Sequence, residues 1–364
     1  MFIEEKISVI TVCYNAEKTI RKTIESVLSQ KYPNMEYIII DGKSTDNTMT
    51  VIKEYKTRIS KVISEPDSGL YDAMNKGISI STGSVIGILN ADDWYEPDTL
   101  EKVMSCFKKA DSDVIYGKIN RIDKNNNQTV FIPYNLDSMY YVMALAHPAT
   151  FVRKEIYNKY GKFNLNYKIA ADYELMLRFY SKGVKFQYLN EIFTNFTIGG
   201  MSYQKRDVCS RETFYISQKY LKYVPNEKKI SIAKKIEKEY KSNLFNEMMD
   251  ISPHILLKKI ENKCKKNERF SIAIFGSGKW GINVQKILTD NGTSPIFFID
   301  NNKKKWNTYI SETKVLSPDI LKVFDGIVLV MVKEYSEEIS SQIKMYNNPQ
   351  IEYLSWEEFV TFED

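Results

Sequence analysis

Four short apolar runs near the start of this chain each end in a cluster of residues able to do chemistry. Thr11, Cys13, Tyr14 and Asn15 follow the first, and Asp41, Gly42, Ser44 and Asp46 the second. Glu65, Pro66 and Asp67 follow the third, and Asn90, Ala91, Asp92, Asp93 and Trp94 the fourth. One such ending would mean little, because Asp and Asn cap helices in any protein. Four in succession predict a cleft lined with oxygen acceptors at the carboxyl edge of a parallel sheet, where a rigid scaffold holds polar loops. Such a cleft suits a ribose, the edge of a base and a divalent cation, since hard cations take oxygen ligands.

The pattern between the clusters supplies the scaffold. Lys6–Val12, Glu36–Ile40 and Val85–Leu89 read as strands. Ile20, Ile24, Val27 and Leu28 fall at helical spacing, as do Leu70, Ala73, Met74, Gly77 and Ile78. This alternation predicts an α/β layer fold over residues 1–204. Residues 205–269 read as a basic helical connector, with 17 Lys/Arg against 9 Asp/Glu, a local charge of +8 in a chain of +5. The α/β rhythm returns over 270–364, where Ser271–Phe275, Ile296–Ile299 and Gly326–Val332 read as strands.

Composition bounds the classes. The 364 residues are 43% hydrophobic and 13% aromatic, enough for buried cores and too much for wholesale disorder. No apolar run reaches the roughly 18 residues that span a bilayer. Met1–Lys6 hold two Glu and no apolar core of signal-peptide length, which predicts a cytoplasmic protein. Cys13, Cys106, Cys209 and Cys264 lie far apart without a CxxC pair and read as reduced thiols, not as a disulfide frame or zinc site. The +8 segment suits either anionic lipid at the inner face of the plasma membrane or a solvated connector, the simpler reading. Lys outnumbers Arg 43 to 8 and no recognised module surrounds the basic residues, which argues against nucleic acid.

Several segments together resemble the bacterial glycosyltransferase family 2. They are Thr11-Val12-Cys13-Tyr14-Asn15, Asp41–Thr48, Ser68–Gly77, Asn90-Ala91-Asp92-Asp93-Trp94 and Ala171-Asp172-Tyr173-Glu174-Leu175 followed by Arg178. The resemblance covers about residues 5–200. It implies a GT-A fold, a nucleotide-sugar donor (UDP being the common nucleotide), Mg²⁺ or Mn²⁺, and inverting transfer to a hydroxyl of a glycan or lipid-linked acceptor. On this reading Asp172 is the general base, although Ala171 stands where the family usually has an acid. Alternation along an extended segment would turn Asp93 to the cation and Asp92 to the donor ribose or sugar. Asp41 would meet the uracil or ribose, with Thr11, Cys13, Tyr14 and Asn15 lining the base pocket and Asp67 and Asn90 joining the donor site. Lys76 would approach a phosphate, and His147 the leaving diphosphate or the acceptor. His254, among apolar neighbours, reads as structural. The Gln-x-x-Arg-Trp motif of the family's processive members is absent, which implies single addition in the synthesis of capsule, lipopolysaccharide or exopolysaccharide.

In the last segment Gly276-Ser277-Gly278-Lys279-Trp280-Gly281 follows a strand and opens a helix, and Asp300 ends the next strand. This is the dinucleotide fingerprint in its proper context and predicts a Rossmann-like domain, with NAD the candidate cofactor at Gly276, Gly278, Gly281 and Asp300. No Tyr-x-x-x-Lys pair accompanies it, so the domain reads as one for binding or assembly. Two other readings stand beside the leading one. One is a bifunctional enzyme whose last segment also performs NAD-dependent nucleotide-sugar chemistry. The other is an inactive sugar-nucleotide scaffold, against which the retention of Asp41, Asp92, Asp93 and Asp172 argues.

Overall fold

The apolar runs become the central strands of a mixed sheet. The computed structural model describes residues 4–251, 253–266 and 271–360. The chain packs as two units, Met1–Glu237 and Lys238–Asp364.

The first unit runs β1 (Ile7–Cys13), α1 (Ile20–Leu28), β2 (Met35–Asp41), α2 (Thr48–Glu54), β3 (Lys61–Ser64), α3 (Leu70–Ile80) and β4 (Val85–Asn90). It continues with β5 (Trp94–Tyr95), α4 (Thr99–Lys109), β6 (Val114–Ile122), β7 (Gln128–Phe131), β8 (Thr150–Arg153), α5 (Lys154–Tyr160), α6 (Ala171–Ser181) and β9 (Phe186–Thr197). Its sheet has the order β3-β2-β1-β4-β8-β6-β9-β5, with β7 paired to β6. The strands β3, β2, β1 and β4 are mutually parallel, so all four chemical clusters leave the sheet at one edge. Strand β8 runs antiparallel to β4 and β6, and a second edge is built from β6 and β9.

Strand periodicity decides which side chains reach that edge. Ile10, Val12, Ile38 and Ile40 pack on the face covered by α3 and α6, with Tyr71, Met74, Leu175 and Phe179. Ile7, Val9, Tyr37 and Ile39 pack on the opposite face against Ile24, Val27, Val103 and Phe107 of α1 and α4. Side chains of period two thus fill two apolar layers.

The basic stretch 205–269 is helical where described and is divided between two cores. After α7 (Met201–Gln204), helix α8 (Arg206–Tyr220) sends Ile216 and Tyr220 into the first unit's core. Phe245 and Met249 of α9 (Asn226–Ile251), and Leu256 and Ile260 of α10 (Pro253–Lys266), lie in the second unit's core. That unit continues with β10 (Ile272–Phe275), α11 (Lys279–Asp290), β11 (Phe297–Ile299), β12 (Tyr309–Ile310), β13 (Thr313–Leu316), β14 (Gly326–Val330), α12 (Ser336–Met345) and β15 (Ile351–Ser355). It is a small α/β unit of strand order β12-β13-β11-β10-β14-β15, parallel except for β12.

Candidate active site

The loops after β1 and β2 are tied to each other. Asn15 adopts the left-handed backbone (φ +50°) that Asn tolerates, and its Oδ1 accepts from Thr45 N–H at 2.9 Å. Its own N–H donates to Ser44 Oγ at 2.8 Å. Tyr14 beside it is 63% exposed. Gly42 closes the group: a Cβ there would press on the Asp67 carboxylate and the Tyr14 ring. Tyr14, Asn15, Gly42 and Asp67 are therefore neighbours, and Asp67 also accepts from Gly69 N–H at 2.9 Å.

Three residues expected to face the donor lie beneath this surface. Thr11 is fully buried and its Oγ1 accepts from Tyr37 OH at 3.1 Å, on the sheet face that packs against α1. Asp41 is fully buried and its oxygens are used internally, accepting from Ser44 Oγ, Ser44 N–H and Ser64 Oγ. The Cys13 thiol donates to Asp41 at 3.6 Å, and burial followed by the Asp41 charge pushes it far above the ordinary thiol range. These three shape the floor and hold the Ser44–Thr45 turn in place. Lys76, expected near a phosphate, instead donates to Pro66 O at 2.8 Å and pairs with Glu65 and Asp72. It braces the β3–α3 loop.

The fourth cluster does not stay extended. Asp93 N–H donates to Asn90 O, making a turn, and this overrides the alternation expected of a strand. Asp93 points inward and is 0% exposed, while Asp92 stays half-buried at the cleft. Three bonds from two residues pin the turn. Thr23 Oγ1 of α1 donates to Asp93 O at 2.7 Å, Thr197 N–H of β9 to Asp93 Oδ1 at 3.0 Å, and Thr197 Oγ1 to Asp92 O at 2.7 Å. Burial raises the Asp92 carboxyl above its usual range, and burial plus the Asp92 charge raises Asp93 well above it. Asp93 Oδ2 and Asn90 Oδ1 are buried without a hydrogen-bond partner. Buried polar atoms are rarely left so. Two adjacent carboxylates short of positive charge, with a second orphaned oxygen beside them, fit a hard divalent cation. Among the described residues no group of three or more His, Cys, Asp or Glu could hold a metal. Asp92 and Asp93 are then the two carboxylates that would hold such a cation, and Mg²⁺-type sites commonly use one or two carboxylates together with substrate phosphates.

Asp172 lies on the first turn of α6, half-buried. The one proton of Tyr71 OH, on α3, is shared between Ile169 O at 2.5 Å and Asp172 Oδ1 at 3.1 Å. Burial and the Asp172 charge raise the Tyr71 phenol well above its ordinary range, so it stays a donor. The Tyr71 ring stacks on Phe163 (centroids 5.3 Å), which also makes an edge-to-face contact with His147 (5.4 Å). Burial lowers the His147 imidazole and the Asp172 charge opposes that shift, so the neutral ring sits within the field of the carboxylate. Asn75 fixes Phe163 through both its backbone groups, and Arg178 donates to the carbonyls of Tyr160 and Lys162.

The support of α6 was not readable from motifs. Glu212 of α8 accepts from the N–H groups of Lys168, Ile169 and Ala170 at 2.7, 2.9 and 2.9 Å, gripping the turn that leads into Asp172. Ser217 bonds Tyr173 OH and Tyr220 OH donates to Glu174. These partners lie 42–46 residues apart in sequence. Tyr71 carried a signal, since it sits inside Ser68–Gly77, whereas Thr197 and Glu212 carried none.

The half-parallel curled sheet is that of the GT-A type of fold. Solved structures share it. Residues of this chain superpose on Staphylococcus aureus TarS 1–349 in complex with UDP-GlcNAc with a TM-score of 0.56, at 17% identity over 78% of this chain and 80% of that one. The match to mannosyltransferase PcManGT from Pyrobaculum calidifontis, in complex with GDP-Man and Mn²⁺, has a TM-score of 0.51 at 13% identity over 69% and 77%. A longer TarS chain is covered over only 43% of its length. By sequence, a PGL/p-HBAD biosynthesis glycosyltransferase of Mycobacterium bovis is 28% identical over 202 residues, 54% of this chain and 78% of the relative. An uncharacterized glycosyltransferase of Mycobacterium tuberculosis is 30% identical over 177 residues, 47% and 68% respectively. The pattern of glycosyl transferase family 2 matches residues 8–182, and one described as C2185-like, N-terminal matches residues 268–351. The chain belongs to glycosyl transferase family 2.

Proposed function

We propose that the first unit moves one sugar from a nucleoside-diphosphate donor, UDP-linked, to a hydroxyl of a glycan or lipid-linked glycan, with inversion, during synthesis of a bacterial surface polysaccharide. The observation that carries this reading is the hold of Tyr71 on Asp172. A half-buried carboxylate aimed by a phenol and set on a gripped helix start is built to accept a proton. The acceptor hydroxyl would give its proton to Asp172 as its oxygen attacks the anomeric carbon. The bond from that carbon to the diphosphate oxygen breaks on the opposite side, and the electron pair leaves with the nucleotide. One displacement of this kind inverts configuration.

Asp92, half-buried, is our candidate for the ligating carboxylate of a cation site, in place of Asp93, which backs it from the interior. A bound Mg²⁺ or Mn²⁺ would neutralise charge on the departing diphosphate. Tyr14, Asn15 and Asp67 are the surface residues suited to the nucleoside, while Asp41, Cys13 and Thr11 set the floor under them. His147 and Phe163 would wall the acceptor side of Asp172. The complexes of TarS with UDP-GlcNAc and of PcManGT with GDP-Man and Mn²⁺ support a nucleotide-sugar donor and a metal. The relative named a PGL/p-HBAD biosynthesis glycosyltransferase supports glycosyl transfer.

The test is hydrolysis of a panel of nucleotide sugars with and without Mn²⁺, using the full chain, Asp172→Asn and Asp92→Ala. The reading expects one donor to be cleaved only with metal, with that cleavage lost in Asp92→Ala. Transfer to acceptor should be lost in Asp172→Asn while nucleotide still binds. Metal-independent cleavage, or an active Asp172→Asn, would overturn it.

A further inference from the structure

Most arginines of the first unit are spent on the fold itself. Arg21 and Arg211 pair with Glu54 and Asp207, and Arg153 and Arg178 with Glu5 and Glu174. Arg58 donates to Leu28 O at 2.9 Å. Arg121 of β6 differs. Among the described residues it makes no ion pair and donates to no protein acceptor. Asp123, the acid nearest to it in sequence, is taken up by its own turn. It accepts from the N–H groups of Asn125 and Asn127 and from the Asn127 side-chain amide.

The arginine is held in place all the same. Its guanidinium lies over the ring of Phe131 on β7, 4.3 Å from the centroid, and Phe131 is buried. Attraction to the ring quadrupole orients the fork without using any of its N–H donors. Arg121 is half-buried, and burial lowers the guanidinium from its ordinary value while the Tyr134 phenol opposes that shift. Tyr134 packs edge-to-face with Phe131 (centroids 5.5 Å) and is 54% exposed. A partly desolvated charge without a counter-charge is costly, and a ligand anion would offset that cost.

Neighbouring strands place Arg121 between the two halves of the transferase site. It pairs with Phe196 of β9, and the next residue, Thr197, is the one bonded to Asp92 and Asp93. On the other side Tyr134 N–H donates to Ala144 O at 2.8 Å, on the segment that leads into His147. The guanidinium is not among the charges that shift Asp92 or Asp93, so it stands off the cation edge, toward the acceptor side. We infer that Arg121 binds a phosphate on the acceptor, an inference that rests on the transferase reading. A guanidinium fork matches two oxygens of one phosphate, which a neutral sugar does not offer. The phosphate belongs either to a lipid carrier of the glycan or to the glycan itself.

Calorimetric titration of the full chain, with UDP and Mn²⁺ at saturation to fill the donor site, tests this. The probes are farnesyl diphosphate, glycerol phosphate and glycerol. At least one of the phosphates should bind better than glycerol, and Arg121→Met should weaken that binding about tenfold or more. Arg121→Lys, which keeps the charge and loses the fork, should fall between. Binding of farnesyl diphosphate alone assigns the phosphate to a lipid carrier, and binding of glycerol phosphate assigns it to the glycan. Arg121→Met should melt no lower than the parent, because it removes an uncompensated charge and keeps the packing on Phe131. Phosphates that bind no better than glycerol, full binding by Arg121→Met, or a marked drop in its melting would each overturn the inference. A parent chain that fails to bind UDP would overturn the transferase reading, and this inference with it.

Discussion

Both sheets set an aspartate just beyond the carboxyl end of a parallel strand, and they treat it in opposite ways. Asp93 beyond β4 is sealed in with one oxygen unpartnered, next to a second carboxylate, and both are raised. Asp300 beyond β11 is partly buried too, but bonds from Ser277 and Lys305 outweigh that burial and hold its carboxyl below the usual range. An acid left short of positive charge is a place for a cation. An acid already matched by a lysine, a serine hydroxyl and a backbone N–H has its charge satisfied from within. The same architectural position is therefore left short of positive charge in one sheet and satisfied in the other, and a few side-chain contacts decide which.

The comparison can be broken most sharply at Asp172. Asp172→Asn should lower kcat by about 10²–10⁴ with nucleotide affinity kept, as steady-state kinetics beside UDP titration would show. An undiminished kcat would leave the first edge without its base. Gly281→Ala attacks the other edge. Its Cβ meets the Gly276 carbonyl, and overpacking of about 1–3 kcal/mol should lower the melting of the second unit in calorimetry while sparing the first. Glu212→Ala strips three N–H groups of their acceptor and should cost about 1–3 kcal/mol. Its kcat should fall more than its donor affinity, and Glu212→Gln should recover part of both.

The smallest effect concerns pH. Asp93 is raised in the folded state, so its burial costs nothing at a pH below the ordinary carboxylate value of about 4 and destabilises as pH climbs through the folded value. Asp93→Asn should therefore melt a few degrees higher than the parent at neutral pH in a chelator, a gain of about 1 kcal/mol corresponding to about 2–4 °C. The gain should vanish near pH 3. A melting curve that shows no such convergence would remove the charge argument from the first edge.

Much of the scaffold was legible because it is local. Strands β1, β2 and β4 and the apolar faces of α1 and α3 follow from periods of 2 and 3.6 that core packing then enforces. The placing of side chains at the edge was less so. Thr11 belongs by parity to the α1 face, and parity could have removed it from the pocket. Asp93 could not be placed that way, because a turn closed by Asn90 and pinned by Thr23 and Thr197 breaks the alternation. Tyr71 and Asp172 meet across 101 residues, and Glu212 grips its turn from another helix. Spacing within a segment holds no record of such contacts.

Helix α8 lies beyond the family match, which stops at residue 182, and yet it supplies Glu212, Ser217 and Tyr220 to the helix that bears Asp172. A chain trimmed to the matched region would keep each acid of the first edge and lose the clamp on one of them. Trimming in search of a minimal transferase should therefore stop no earlier than the end of that helix. Relatives should likewise be compared by what they place behind α6 as well as by their motifs, because an unmatched segment here does the work of a splint.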